Sequence, residues 1–216
     1  MPAKQPPRYL DNHATTRTDP RVVEAMLPFF SERFGNAASI GHSFGDDAAR
    51  AVETAREQVA SLVGARPEEV IFTSGATEAN NLALKGLLST SDNRRHLVVS
   101  DVEHPSVLDP VSRLARDGCR VTRVGCDTAG QVDPAEVAAA IEPDTALVSV
   151  MWANNEVGTI NPVAEIADRC ADHGVVFHTD AVQAVGRIPV NCRNVAAIVE
   201  QLVRTIASTV QFACSA

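Results

Sequence analysis

A chain of 216 residues that is 45% hydrophobic and 21% charged has the make-up of a globular protein, long enough to bury a core as one domain or two small ones. Nineteen basic against 27 acidic side chains leave a net charge of −8. That balance excludes a general nucleic-acid or anionic-membrane binder, whose affinity rests on positive charge.

The N-terminus "MPAKQPPRYLDNH" has no apolar stretch of the secretory kind, and no run approaches the roughly 18 apolar residues of a membrane span. Further along, residues 43–63 place Ala48, Val52, Ala55, Val59 and Leu62 at helical spacing, closed by Gly64. "EVIFT" (69–73) reads as a short buried strand and 76–88 as a helix. Strands follow at 96–100, 119–124, 145–151 and 175–179, separated by helical stretches near 106–117, 134–141 and 162–173. This alternation predicts an α/β domain with a largely parallel sheet, in which ligands bind at the carboxyl ends of the strands. The last 25 residues carry Val195, Ile198, Leu202 and Ile206 at helical spacing after Asn194, which predicts an amphipathic helix over about 194–210. Five cysteines (Cys119, Cys126, Cys170, Cys192, Cys214) occur singly, without a C-x-x-C pair. Reduced thiols in a cytoplasmic setting are the simpler reading.

Four polar clusters follow predicted strands. In "IFTSGATEANN" a helix begins near Ala76, and the free N–H groups of a helix N-terminus suit a phosphate; alone, Ser74 or Thr77 would more simply be a cap. His104 lies in "VEHPSV", Asn154 and Asn155 in "ANNEVGTINP", and Asp180 and Gln183 in "HTDAVQ". A lone loop histidine or an Asn pair means little. A carboxylate ending an apolar strand, however, is costly unless partnered. Four such clusters on one sheet edge are what a cofactor pocket needs.

These segments resemble the cysteine desulfurases of aminotransferase class V, pyridoxal-phosphate enzymes that mobilise sulfur from L-cysteine for iron–sulfur clusters and thiolated molecules. "YLDNHATTRTDPRV", "FGNAASIGHSFG", "FTSGATEANNLALKG", "EHPSVL", "NNEVGTINPV" and "HTDAVQAVGRIPV" occur in family order across about residues 8–191, with Ala37 where the family often has proline. The resemblance implies a fold-type-I pyridoxal-phosphate transferase architecture, a mostly parallel sheet with flanking helices. It assigns residues 1–191 to the N-terminal part of that domain and leaves 192–216 as an unmatched tail. It also implies roles: Ala76 and Thr77 hold the cofactor phosphate, and His104 stacks on the ring and moves protons. Asp180 pairs with the pyridinium nitrogen, Gln183 bonds the phenolic oxygen, and Asn155 contacts the cofactor. No metal site is implied.

The family also needs a lysine that binds the cofactor covalently, in an "S-x-H-K" segment. This chain has two lysines, Lys4 in the tail and Lys85, eight residues beyond Thr77 on the same helix, about 12 Å along its axis. Neither is suitably placed, and Cys192 and Cys214 lie outside the matched segments. The expectation is therefore an incomplete large domain that binds pyridoxal phosphate weakly and without a covalent bond, inactive by itself. Its partner would be a second copy, a full-length desulfurase or the missing C-terminal half. The rivals are another class V enzyme, such as a selenocysteine lyase or a sulfur donor for DNA or tRNA modification, and a non-catalytic module.

Overall fold

The computed structural model describes residues 8–10, 16–90 and 94–192, together with the backbone of 197–199. After two short helices, α1 (Pro20–Met26) and α2 (Pro28–Ser31), comes the long helix α3 (Ser43–Val63). His42 caps α3 by accepting the Gly45 N–H at 3.1 Å, and the helix stops at Gly64, whose φ of 73° is left-handed.

Then α4 (Ala76–Thr90), β1 (His96–Ser100), α5 (Pro105–Arg116), β2 (Arg120–Val124), α6 (Pro134–Ala140), β3 (Thr145–Ser149), α7 (Val163–Asp172), β4 (Val176–Asp180) and β5 (Ala197–Val199) alternate. The five strands form one parallel sheet in the order β2-β1-β3-β4-β5. Strand alternation divides the core into two layers. Leu97, Val99 and Leu147 pack with Leu84 and Leu88 of α4 and Val107 and Val111 of α5. Val98, Val148 and Phe177 pack with Val137 of α6 and Val163 and Ile166 of α7 on the opposite face. Helices α4 and α5 thus cover one face of the sheet, and α6 and α7 the other. The order reverses between β1 and β3, and the crevice beyond the carboxyl ends of those strands is where such sheets bind ligands.

Two expectations fail. Residues 69–73 do not form a strand. Val70 closes a 3-10 turn over Pro67–Glu69, and Ile71 is 70% exposed. Arg56 of α3 donates to the Val70 carbonyl and lies 4.9 Å from the Phe72 ring centroid, holding the segment against the helix rather than in the sheet. The apolar run is a sound strand signal, but a strand needs a neighbour, and none of the described strands pairs with it. The tail helix also fails over its described part: Ala197–Val199 pair in parallel with His178–Asp180 as β5. Valine and isoleucine at that spacing serve a sheet edge as readily as a helix face. The rest of the expected helix lies outside the described residues.

Candidate active site

Asp180 is the last residue of β4 and is 4% exposed. Its Oδ1 accepts the Val182 N–H at 3.1 Å and its Oδ2 accepts the Asn80 amide at 3.1 Å. Burial raises its pKa, opposed by the Val182 N–H, the Asn80 amide and nearby His104. Both donors are neutral, and no described lysine or arginine forms an ion pair with it. A buried carboxylate held in this way fits a cationic ring nitrogen that would complete the pair.

His104 follows β1 and caps α5, with Nδ1 accepting the Ser106 N–H at 3.1 Å. Gln183 follows Asp180; its Oε1 accepts from Arg187 at 2.6 Å, so the group it offers a ligand is its amide N–H. Asn154 and Asn155 divide their labour in a way the sequence did not show. Asn154 is a staple: its amide donates to the Val102 carbonyl at 2.9 Å, and its Oδ1 accepts the Glu156 and Val157 N–H groups. Asn155 is half-buried and donates to Glu156 at 2.9 Å. Ala76 and Thr77 open α4, where the first N–H groups have no intrahelical acceptor. Ser74 does not act as an accepting cap. Its N–H and hydroxyl both donate to Glu78 at 2.6 Å, so a phosphate there would meet the Ala76 and Thr77 N–H groups and the exposed Thr77 hydroxyl. Three of the four expected clusters stand at the ends of sheet strands. The fourth, Ala76 and Thr77, stands at a helix start that follows a loop, about one turn before Asn80, which bonds Asp180.

Three buried polar residues here escaped the sequence reading. Asn80, fully buried, joins Asp180 to Ser106. His178 is also buried, and burial pulls its pKa down to about 4. Glu103 accepts at Oε1 from the Ser100 hydroxyl at 2.8 Å and from the Met151 N–H, while its Oε2 is buried without a partner. Burial and the nearby Asp180 push its carboxyl up to about 7. Asn80 did carry a signal: it precedes Leu84 and Leu88 by four and eight positions, on the inward stripe of α4. Lys85, one position past Leu84, is exposed. Lys4 lies outside the described residues.

His96, Glu142 and Asp144 also converge, their ligand atoms within 4.8 Å of one another, but at the amino end of β1. Both His96 ring nitrogens bond threonine hydroxyls, and Arg120 bonds Glu142 at 2.7 Å and Asp144 at 2.6 Å. An ion pair already fills that place.

Comparison with known proteins identifies the family. The aminotransferase class-V family model matches residues 8–199, reaching through β5. The cysteine desulfurase IscS of Anaeromyxobacter sp. (strain K) is 53% identical over 85% of this chain and 46% of its own. Among solved structures, a NifS-like protein superposes with a TM-score of 0.80 at 41% identity, over 84% of this chain and 50% of that one. The structure described as SspA in complex with cysteine gives 0.83 at 35% identity, over 87% and 54%. The chain thus spans about half the length of the relatives it matches. With the family model covering most of its residues, the chain belongs to the aminotransferase class V family.

Proposed function

We propose that this chain is the cofactor-binding part of a cysteine desulfurase, built to seat pyridoxal phosphate and act on L-cysteine. The observation that carries the reading is Asp180: a buried carboxylate on the strand end next to the fold's crevice, held by neutral donors and without an ion pair to any described lysine or arginine. Bound pyridoxal phosphate supplies an electron sink through its protonated ring nitrogen. Asp180 keeps that nitrogen protonated. The Ala76 and Thr77 N–H groups hold the phosphate, the Gln183 amide donates to the phenolic oxygen, and His104 covers the ring, with Asn155 beside it. The cysteine bound in the SspA structure supports L-cysteine as the substrate class, with the sulfur passed on to iron–sulfur cluster assembly or thiolation in the cytoplasm.

Covalent attachment and sulfur transfer call for a lysine and a cysteine, and among the described residues none is seen to supply them: Lys85 is exposed on α4. Binding by these residues is therefore non-covalent, and turnover requires both groups to be supplied to the site. The test is titration with pyridoxal phosphate, followed by absorbance and by borohydride reduction with peptide mapping. Saturable binding that Asp180→Ala weakens at least about tenfold, the loss expected for one charged contact, supports the reading. Equal binding by parent and Asp180→Ala chains, or a stoichiometric reduced adduct on Lys85, refutes it. Alanine production from L-cysteine should appear only when a separately made C-terminal half of a relative is added.

A further inference from the structure

A run of side-chain hydrogen bonds connects Asp180 to His104 beneath the site, with Asn80 at its centre. Asn80 Nδ2 donates to Asp180 Oδ2 at 3.1 Å and to Ser106 Oγ at 2.9 Å, and Asn80 Oδ1 lies 3.2 Å from His178 Nε2. Ser106 Oγ is 2.8 Å from His104 Nδ1, and Ser149 Oγ is 2.9 Å from His178 Nδ1.

Counting hydrogens gives this run a direction. An ionised carboxylate only accepts, so Asn80 must turn its NH2 group toward Asp180, and its two hydrogens go to Asp180 and Ser106. Ser106 Oγ therefore accepts from Asn80, and its single hydrogen goes to His104 Nδ1. That nitrogen also receives the Ser106 backbone N–H at 3.1 Å as the cap of α5. A nitrogen that accepts twice carries no hydrogen, so the neutral ring holds its proton on Nε2. At the other end, Asn80 Oδ1 accepts from His178 Nε2–H, and His178 Nδ1 accepts from Ser149.

We propose that Asn80 is a positioning residue that, through Ser106, fixes His104 as the Nε2–H tautomer and confines proton exchange by that ring to Nε2. The nitrogen so reserved is the one across the ring from the α5 cap. Exchange through Nδ1 would require giving up both Ser106 bonds. The tautomer follows from this chain's own groups; its use in catalysis rests on the cofactor reading of His104 and Asp180.

The experiment is long-range proton–nitrogen NMR of the histidine rings in the cofactor-free chain at alkaline pH, with His104 assigned by its loss in a His104→Gln chain. The parent should show His104 protonated at Nε2 with Nδ1 as an acceptor. In Asn80→Asp the new carboxyl is ionised or shares a proton with Asp180, and either way gives Ser106 no hydrogen. Ser106 then turns its hydroxyl to the new carboxyl, and the ratio of Nδ1–H to Nε2–H forms should rise roughly tenfold, the equivalent of one hydrogen bond. Ser106→Ala, which keeps the backbone donor, should move the ratio in the same direction by less and covers the case in which Asn80→Asp does not fold. A parent His104 protonated at Nδ1, or a ratio unchanged in a folded Asn80→Asp or Ser106→Ala chain, overturns the proposal. Pyridoxal phosphate titration of the same samples keeps the two readings apart. Loss of binding with the tautomer as expected counts against the cofactor reading alone, and binding with the wrong tautomer counts against Asn80 alone.

Discussion

Glu103 offers a prediction whose size follows from the fold. Its carboxyl is 5% exposed, with one oxygen satisfied by Ser100 and Met151 and the other buried without a partner. The folded chain holds its proton up to about pH 7, whereas the ordinary value is 4.5. Within that window the unfolded chain has released the proton and the folded chain has not, so stability falls as pH rises. At roughly 1.4 kcal/mol per pH unit the interval amounts to about 3 kcal/mol. His178 acts in the opposite sense. Its folded value of about 4 lies below the ordinary 6.5, so its contribution is lost as pH falls through that window. The two windows overlap between 4.5 and 6.5, and there these two contributions oppose each other. Glu103→Gln removes one side of the balance. The carbonyl oxygen of the introduced amide keeps both acceptor contacts, while its N–H group adds a pH-independent cost of about 1–3 kcal/mol. Urea denaturation of parent and variant from about pH 4 to pH 8 should therefore show the variant gaining about 3 kcal/mol relative to the parent across the range. Parallel curves would refute the buried-proton account, whatever their offset.

The other predictions rest on single contacts. His178→Gln should remove the contribution that offsets Glu103, so that the variant gains stability relative to the parent as pH falls from 6.5 to about 4, as read by the same denaturation series. Leu84, fully buried between α4 and the sheet, should cost about 2–5 kcal/mol on conversion to alanine, seen as a lowered urea midpoint at constant slope. Gly64→Ala forces a left-handed residue at the α3 stop and brings its Cβ to 3.1 Å from Asn191 Oδ1. A loss of about 1–2 kcal/mol is expected, and an unchanged melting temperature would contradict the strained cap.

The elements best read from sequence are those whose partners are near in the chain. α3 carries its own cap, apolar stripe and terminal glycine, and its bounds agree with the structure. β1 and β3 are built around the apolar runs 97–99 and 146–148, as suits strands buried on both faces, and β4 opens on Val176 and Phe177. Residues 69–73 and 197–199 mislead because their state depends on what lies beside them. An apolar run becomes a strand only where a neighbouring strand offers its backbone, and helical spacing in a three-residue stretch does not forbid one. The site follows the same rule. Asp180, His104 and Gln183 are legible because each stands at the end of a readable strand. The roles of Glu103 and Asn80 are not, because the partners that give them a place in the site, Met151 and Asp180, are 48 and 100 positions away; the stripe of α4 shows only that Asn80 faces inward.

Those two residues show how the floor of the site tolerates Asp180. Two carboxyls and an imidazole are buried together, and each would be penalised for its charged form. A low-dielectric region without a resident cation accommodates one negative charge far more readily than two. Glu103 yields it: its unpartnered oxygen has no donor to favour ionisation, and the proton it keeps removes a rival charge from beside Asp180. His178 stays neutral and so cannot neutralise Asp180 from below. The charge is left on the carboxylate that has two donors and ends a strand at the mouth of the crevice. A cation entering that crevice therefore meets a carboxylate that no described side chain below it neutralises.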